Sequence, residues 1–298
     1  MKKLILVTGG AGFIGSHLIE KLVGDPDQRV FSLDNYFTGS VKNHIAGAEY
    51  VRGETKDIDV LIKQKPDVVY HLGEYSRVLT SFDDVNLVWR LNVEGTFQVL
   101  EFCRRNKIRL IYSGSSTKFG EFNDNTKDAK NETPYAYFKS ANTELINNYG
   151  QWFGLDYAIT YFFNVYGGRE IREGRYATVI GIFTKKFMNN EPLTVVAPGT
   201  QKRAFTHIDD IVAGIILVGE KGQGDGYCLS AAKEYSILEI AEMFGGEIEM
   251  LPAQKGDRKS SKIDQSKMLA LGWKAGRDIS EYIKEVKNTK IDQIVRLG

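Results

Sequence analysis

The stretch LILVTGGAGFIGSHL near the amino end limits the fold more than any other part of the chain. A short apolar run passes into a turn carrying Gly9, Gly12 and Gly15 at three-residue spacing, and the helical pattern FIGSHLIEKLV follows. Glycines in such a turn let backbone approach a pyrophosphate, while the helix behind it aims N–H groups and the positive end of its dipole at the anion. The next apolar run, RVFSLD, ends in Asp34, 19 residues after Gly15. A carboxylate there accepts hydrogen bonds from the adenosine ribose and repels a 2′-phosphate, which predicts NAD over NADP. Phe13 and Ile14 in the turn and Asn35 beside Asp34 join this first set of cofactor candidates.

The pattern after this unit repeats its logic. Apolar runs such as DVVYHLGE and IRLIYSGSS, bounded by Gly, Asp or Ser, alternate with helical patterns such as NVEGTFQVLEFCRRN. Such alternation indicates βαβ units and a doubly wound parallel (Rossmann) sheet buried on both faces. After DYAITYFFNVYGG the pattern loosens, which predicts an NAD-binding domain over 1–168 and a smaller α+β substrate domain over 169–298. The run IVAGIILVG is expected to return to the first domain, so a segment near 204–219 is assigned there.

Charge narrows the partners. With 39 basic and 38 acidic residues the chain has a formal charge of +1, so no overall field draws it to nucleic acid or an anionic membrane. No run of 18 apolar residues exists, and the chain reads as cytoplasmic. Cys103 and Cys228 lie far apart without metal-ligand spacing, so they are expected to be buried thiols and no metal site is predicted.

In NETPYAYFKSANTEL, Tyr135 and Lys139 stand one helical turn apart. Of 15 tyrosines only Tyr135 has a Lys four places on, a frequency chance would supply, so the spacing decides nothing alone. Beside a bound NAD the pair has a task. Tyr135 as phenolate takes a proton from a hydroxyl, and the Lys139 charge helps a phenol of ordinary pKa near ~10 to ionise. Tyr137 falls on another face and is assigned to packing or substrate contact.

The ordered set TGGAGFIGSHL, LDNYFTGS, VVYHLGE, LNVEGT, IYSGSSTKFGE, PYAYFKS, FFNVYGG, KRAFTHIDD and SILEIAEMFG resembles the extended short-chain dehydrogenase/reductases of the sugar-nucleotide epimerase/dehydratase family, over nearly the whole chain. The resemblance implies Glu54 and Thr55 by the adenine, Leu72 and Gly73 against the cofactor, Asn92 near its centre and Phe162 beside the nicotinamide. It assigns Ser115 to the reacting oxygen, Asn164 and Arg203 to a substrate diphosphate, and Val179 to the substrate wall. It also implies a homodimer through the helices carrying EGTFQVLEFC and YAYFKSANTEL. The chain departs from the family at Gln254, where an Arg is common, and either Lys255 or Arg258 replaces it or both belong to a solvated loop.

The resemblance implies a UDP- or GDP-linked sugar oxidised at C4. Dehydratases and decarboxylases of the family place acidic or basic residues just after Ser115, where this chain has Ser116 and Thr117. That predicts a 4-epimerase, with a 4-dehydrogenase as rival and a 4,6-dehydratase or a non-catalytic NAD(P) sensor behind it. A last departure is HLGEYSRV, with Glu74 and Arg77 where small or apolar residues are more usual. Two readings stand equal: Glu74 accepts from sugar hydroxyls with Arg77 orienting it or meeting phosphates, or the two form a local salt bridge.

Overall fold

The computed structural model describes residues 2–119, 133–252 and 263–297. Strands β1 (Lys3–Thr8), β2 (Gln28–Asp34), β3 (Glu49–Arg52), β4 (Val68–His71), β5 (Arg109–Ser115) and β6 (Tyr157–Phe162) form one sheet with an edge strand, Gly224–Leu229. Across the sheet the order is edge strand, β6, β5, β4, β1, β2, β3, and every pairing is parallel. The strand order reverses between β1 and β4. The carboxyl ends of these two strands therefore open into the crevice where a doubly wound sheet binds its ligand.

The apolar runs are continuous because both faces of the sheet are covered. Leu6, Leu33, Val69, Leu110 and Ile159 point into one core. Ile5, Val7 and Ile111 point into the other, against Leu18 of the first helix, Phe13–Leu22, and Ile211 of the helix Ile208–Lys221. Tyr227 and Leu229 of the edge strand, Met268 and Trp273 also pack on this second face, while Cys228 points into the first core.

A third core, including Tyr166, Phe183, Val195, Phe205 and Phe244, builds the second lobe. Three two-stranded pairings frame it, and the helix Ile237–Phe244 starts from a Ser236–Glu239 capping box. The helix Pro134–Phe153, which carries Tyr135, begins with Thr133 accepting from the Ala136 N–H at 3.0 Å and stops at Gly154 in the left-handed region. Cys103 and Cys228 are buried and unpaired. Among the described residues no helix is long and apolar enough to cross a membrane.

Candidate active site

A cleft of about 420 Å³ opens at the crevice between β1 and β4 and runs into the second lobe. Its first wall is the glycine turn. Gly9 has φ +73°, and a Cβ there would lie 2.9 Å from the backbone of Gly73. A Cβ on Gly15 would lie 2.2 Å from the Gly9 carbonyl oxygen, so the helix can start this close to the strand only with glycine. No side chain caps that helix, which leaves first-turn N–H groups at Phe13, Ile14 and Gly15 on the cleft wall for an anion.

Asp34, at the end of β2, is 6% exposed. One of its oxygens accepts from the Ala11 N–H at 2.8 Å and the other from the Tyr36 N–H at 2.7 Å. Burial raises its pKa while these two donors pull it down. A carboxylate has about four lone-pair sites, so acceptor capacity remains for a ribose diol. Bare turn, open helix end and acidic acceptor together fit a dinucleotide with a free 2′-hydroxyl. Asn35, Thr55, Leu72, Gly73 and Phe162 line the same cleft. Two expected cofactor contacts do not. Glu54 turns to Arg90 at 3.3 Å and Lys56 at 3.7 Å. Asn92 is fully buried, and its amide accepts from the Tyr75 N–H at 2.7 Å and donates to the Tyr75 carbonyl at 3.0 Å, so it clamps the loop after β4.

Tyr135 and Lys139 both line the cleft, 7% and 4% exposed. Ser115 faces them from the end of β5, and its oxygen accepts from the Thr117 hydroxyl at 3.0 Å. Glu74, expected at the sugar or beside Arg77, pairs instead with the Lys139 ammonium, and its side chain is 2% exposed. Its other oxygen accepts from Thr96 at 3.0 Å, Tyr112 at 3.0 Å and Asn142 at 3.1 Å. Arg77 lines the cleft but donates to the carbonyls of Tyr176 and Ser76, so no Glu74–Arg77 bridge forms.

A chain of hydrogen bonds joins this cluster to the floor of the turn. The Thr96 hydroxyl spends its proton on Glu74, so it must accept from His71 Nε2–H at 3.0 Å. His71 Nδ1 is then the acceptor for the Thr8 hydroxyl at 2.7 Å. The Thr8 oxygen in turn receives the N–H groups of Leu72 and Gly73. Burial holds this imidazole neutral and pushes its pKa down to about 4. Sequence reasoning missed Tyr112, Asn142, Thr96 and His71. Asn142 stands three places after Lys139, on the same face of its helix, and that spacing was the available signal.

Toward the second lobe, Asn164 and Val179 line the cleft, and the Asn164 amide donates to the Ala204 carbonyl at 3.0 Å. Arg203 is not among the cleft-lining residues, and its guanidinium donates to the Lys202 carbonyl. Gln254, Lys255 and Arg258 lie outside the described residues.

Comparison with known proteins agrees with this geometry. A sequence model of the NAD dependent epimerase/dehydratase family matches residues 5–229. The chain is 33% identical to a Methanocaldococcus jannaschii protein named "Putative UDP-glucose 4-epimerase", covering 96% of this chain and 97% of that one. It is 31% identical to UDP-glucuronic acid decarboxylase 6 of Arabidopsis thaliana, covering 90% and 83%. The structure of a UDP-N-acetylglucosamine 4-epimerase from Methanobrevibacter ruminantium M1 superposes with a TM-score of 0.89 at 27% identity, covering 98% and 100%.

Proposed function

The chain belongs to the NAD dependent epimerase/dehydratase family, and from that membership we propose that it is a nucleotide-sugar 4-epimerase working through a transient 4-keto sugar nucleotide. One observation carries the choice of reaction. Among the described residues lining the cleft, the titratable side chains are Asp34, Glu74, Arg77, Tyr135 and Lys139. Asp34 lies at the adenosine end, the Glu74 carboxylate is taken up by Lys139 and three further donors, and the two cations are poor bases while charged. Tyr135 is left as the one group suited to exchange a proton with a sugar hydroxyl.

Tyr135 takes the C4 hydroxyl proton as the carbon is oxidised and returns it after the sugar has turned its other face, with Ser115 holding the oxygen. NAD, when bound, supplies the acceptor and then the donor of the hydride. Elimination of a C6 hydroxyl requires a second acid–base pair, and the side chains after Ser115 are the hydroxyls of Ser116 and Thr117. The names of the Methanocaldococcus, Arabidopsis and Methanobrevibacter proteins support UDP as the nucleotide. Exposed Phe97 and Tyr137 on the helices Gly95–Asn106 and Pro134–Phe153 support a homodimer through those helices. The unpaired buried cysteines support a cytoplasmic setting.

The test is incubation with a panel of UDP- and GDP-hexoses and hexuronates, with sugar analysis and continuous recording of NADH absorbance. A C4 epimer with no lasting NADH is the expected result. Lasting NADH with a keto sugar would make the chain a 4-dehydrogenase, a dehydrated or decarboxylated product would replace the epimerase reading, and no response to any sugar would favour the sensor.

A further inference from the structure

We propose that Glu74 is the fixed counter-ion of Lys139 and, through that ammonium, sets the pH at which Tyr135 can act as a base. The inference takes the role of Tyr135 from the function proposed above. The pairing itself stands on geometry.

An ammonium has three N–H donors. Those of Lys139 are directed at Glu74 Oε2, at the Ser113 carbonyl at 2.6 Å and at the Tyr112 hydroxyl at 3.4 Å. Protein groups thus occupy the whole ammonium. The carboxylate is held from several sides as well, by Thr96 from the helix Gly95–Asn106, Tyr112 from β5, and Asn142 and Lys139 from the helix Pro134–Phe153. A buried carboxylate receiving four donors stays in place. It has no freedom to follow a sugar hydroxyl.

The consequence for Tyr135 is electrostatic. An isolated ammonium one helical turn away favours phenolate over phenol. With a carboxylate in contact, the same ammonium presents a dipole, whose field at the phenol is weaker. The other groups facing this centre do not restore the lost charge equally. His71, from β4, is neutral, with its pKa pushed down to about 4. Tyr112, from β5, is kept a neutral phenol because burial pushes its pKa well up. From the second lobe, Glu170 interacts with Arg77, and burial pushes its pKa up to about 7. Arg77, in the loop after β4, interacts electrostatically with Tyr135 and bonds to carbonyls rather than to a carboxylate. The loop therefore removes charge from Tyr135 at Glu74 and offers it at Arg77.

The test is a spectrophotometric titration of the Tyr135 phenolate in the NAD-loaded protein, using Tyr135→Phe as the blank. In Glu74→Gln the midpoint should fall by about one pH unit, and the acid limb of the kcat/KM profile should fall with it. Glu74→Asp keeps the charge and should retain the wild-type midpoint. A folded Glu74→Gln protein with an unmoved midpoint overturns the proposal and leaves Glu74 as a structural brace. Should Glu74→Gln fail to fold, Glu74→Gln/Lys139→Met must fold and place the midpoint within about half a unit of wild type, since the double change removes the charge that Glu74 offsets; failure of either overturns it. The titration requires no sugar, so a chain that turned over no sugar nucleotide would refute the epimerase reading while leaving the counter-ion result standing.

Discussion

A phenol becomes an effective base near neutral pH only when its surroundings favour the phenolate, and Tyr135 stands in a buried site that Arg77 and Lys139 also line. Tyr135→Phe removes the proton acceptor and leaves the glycine turn intact. It should lower kcat by about 10²–10⁴-fold with NAD still bound, and near-normal turnover would dismiss Tyr135 as the base. Asp34→Ala acts at the other end of the cleft. It strips the buried Ala11 N–H of its acceptor, for a stability cost of about 1–3 kcal/mol, and removes the charge that opposes a 2′-phosphate. Calorimetric titration should show weaker NAD binding and a smaller preference over NADP; an unchanged preference would count against the assignment. These two residues were legible because each sits in a local pattern with a chemical reason. Glu74 was visible only as an oddity. Its partner lies 65 residues away, and no local spacing announces a pair made by tertiary contact. For the same reason Asn92 could not be read as a clamp on Tyr75.

Strands and turns show what local pattern carries. Parallel strands covered on both faces need apolar runs, and β1, β2, β4, β5 and β6 supply them, whereas the edge strand β3, EYVR, does not. The edge strand GDGYCL lacks such a run: Gly224 and Gly226 take φ of +71° and +100°, and its register shifts between Gly224 and Tyr227. Only its pairing with β6 makes it a strand. The segment DIDVLIKQK holds the one-turn helix Ile58–Leu61 before the chain extends toward β4. At the end of β4 the neutral His71 has a measurable consequence. Its pKa is about 4 when folded against an ordinary 6.5, so between those values the unfolded chain binds the extra proton. Stability held above pH 6.5 is therefore lost as pH falls toward 4, by on the order of 3 kcal/mol. Glu170 acts in the opposite sense, since its raised pKa costs stability as pH rises from 4.5 to about 7. Thermal unfolding of wild type against His71→Gln isolates the imidazole. The wild-type advantage in Tm should shrink between pH 6.5 and 4, and a constant gap would mean His71 is not held neutral.

At the scale of the whole molecule, the change in pattern near Arg169 predicts a nucleotide-binding lobe and a smaller lobe, but the contacts that close one lobe on the other were not legible. They join short polar loops with no periodicity. Arg77, in the loop after β4, donates to the Tyr176 carbonyl through Nε at 2.7 Å, and the Tyr176 hydroxyl donates to Asp84 at 3.0 Å. Arg175 adds ion pairs to Asp83 at 2.9 Å and Asp84 at 3.2 Å. Beneath these, the rings of Phe37, Tyr75 and Tyr176 pack with centroids 4.9–6.0 Å apart. Phe37, Arg77 and Ala177 line the cleft, so this clasp borders the candidate site. Tyr176→Phe removes only the bond to Asp84 and should cost about 1 kcal/mol. Tyr176→Ala also removes the half-buried ring and should cost about 2 kcal/mol. Tyr176 contacts Phe37, Tyr75 and Asp84 rather than the glycine turn or Asp34, so the NAD affinity of both variants should stay at the wild-type value. The KM for the sugar nucleotide should rise, more in the alanine variant than in phenylalanine, as the wall carrying Thr178 and Val179 loses its tie to the first lobe. Initial rates over a range of sugar concentrations, with NAD titration and thermal melts on the same preparations, separate the outcomes. A lower Tm with an unchanged sugar KM would make the clasp a brace between lobes with no part in holding the substrate wall.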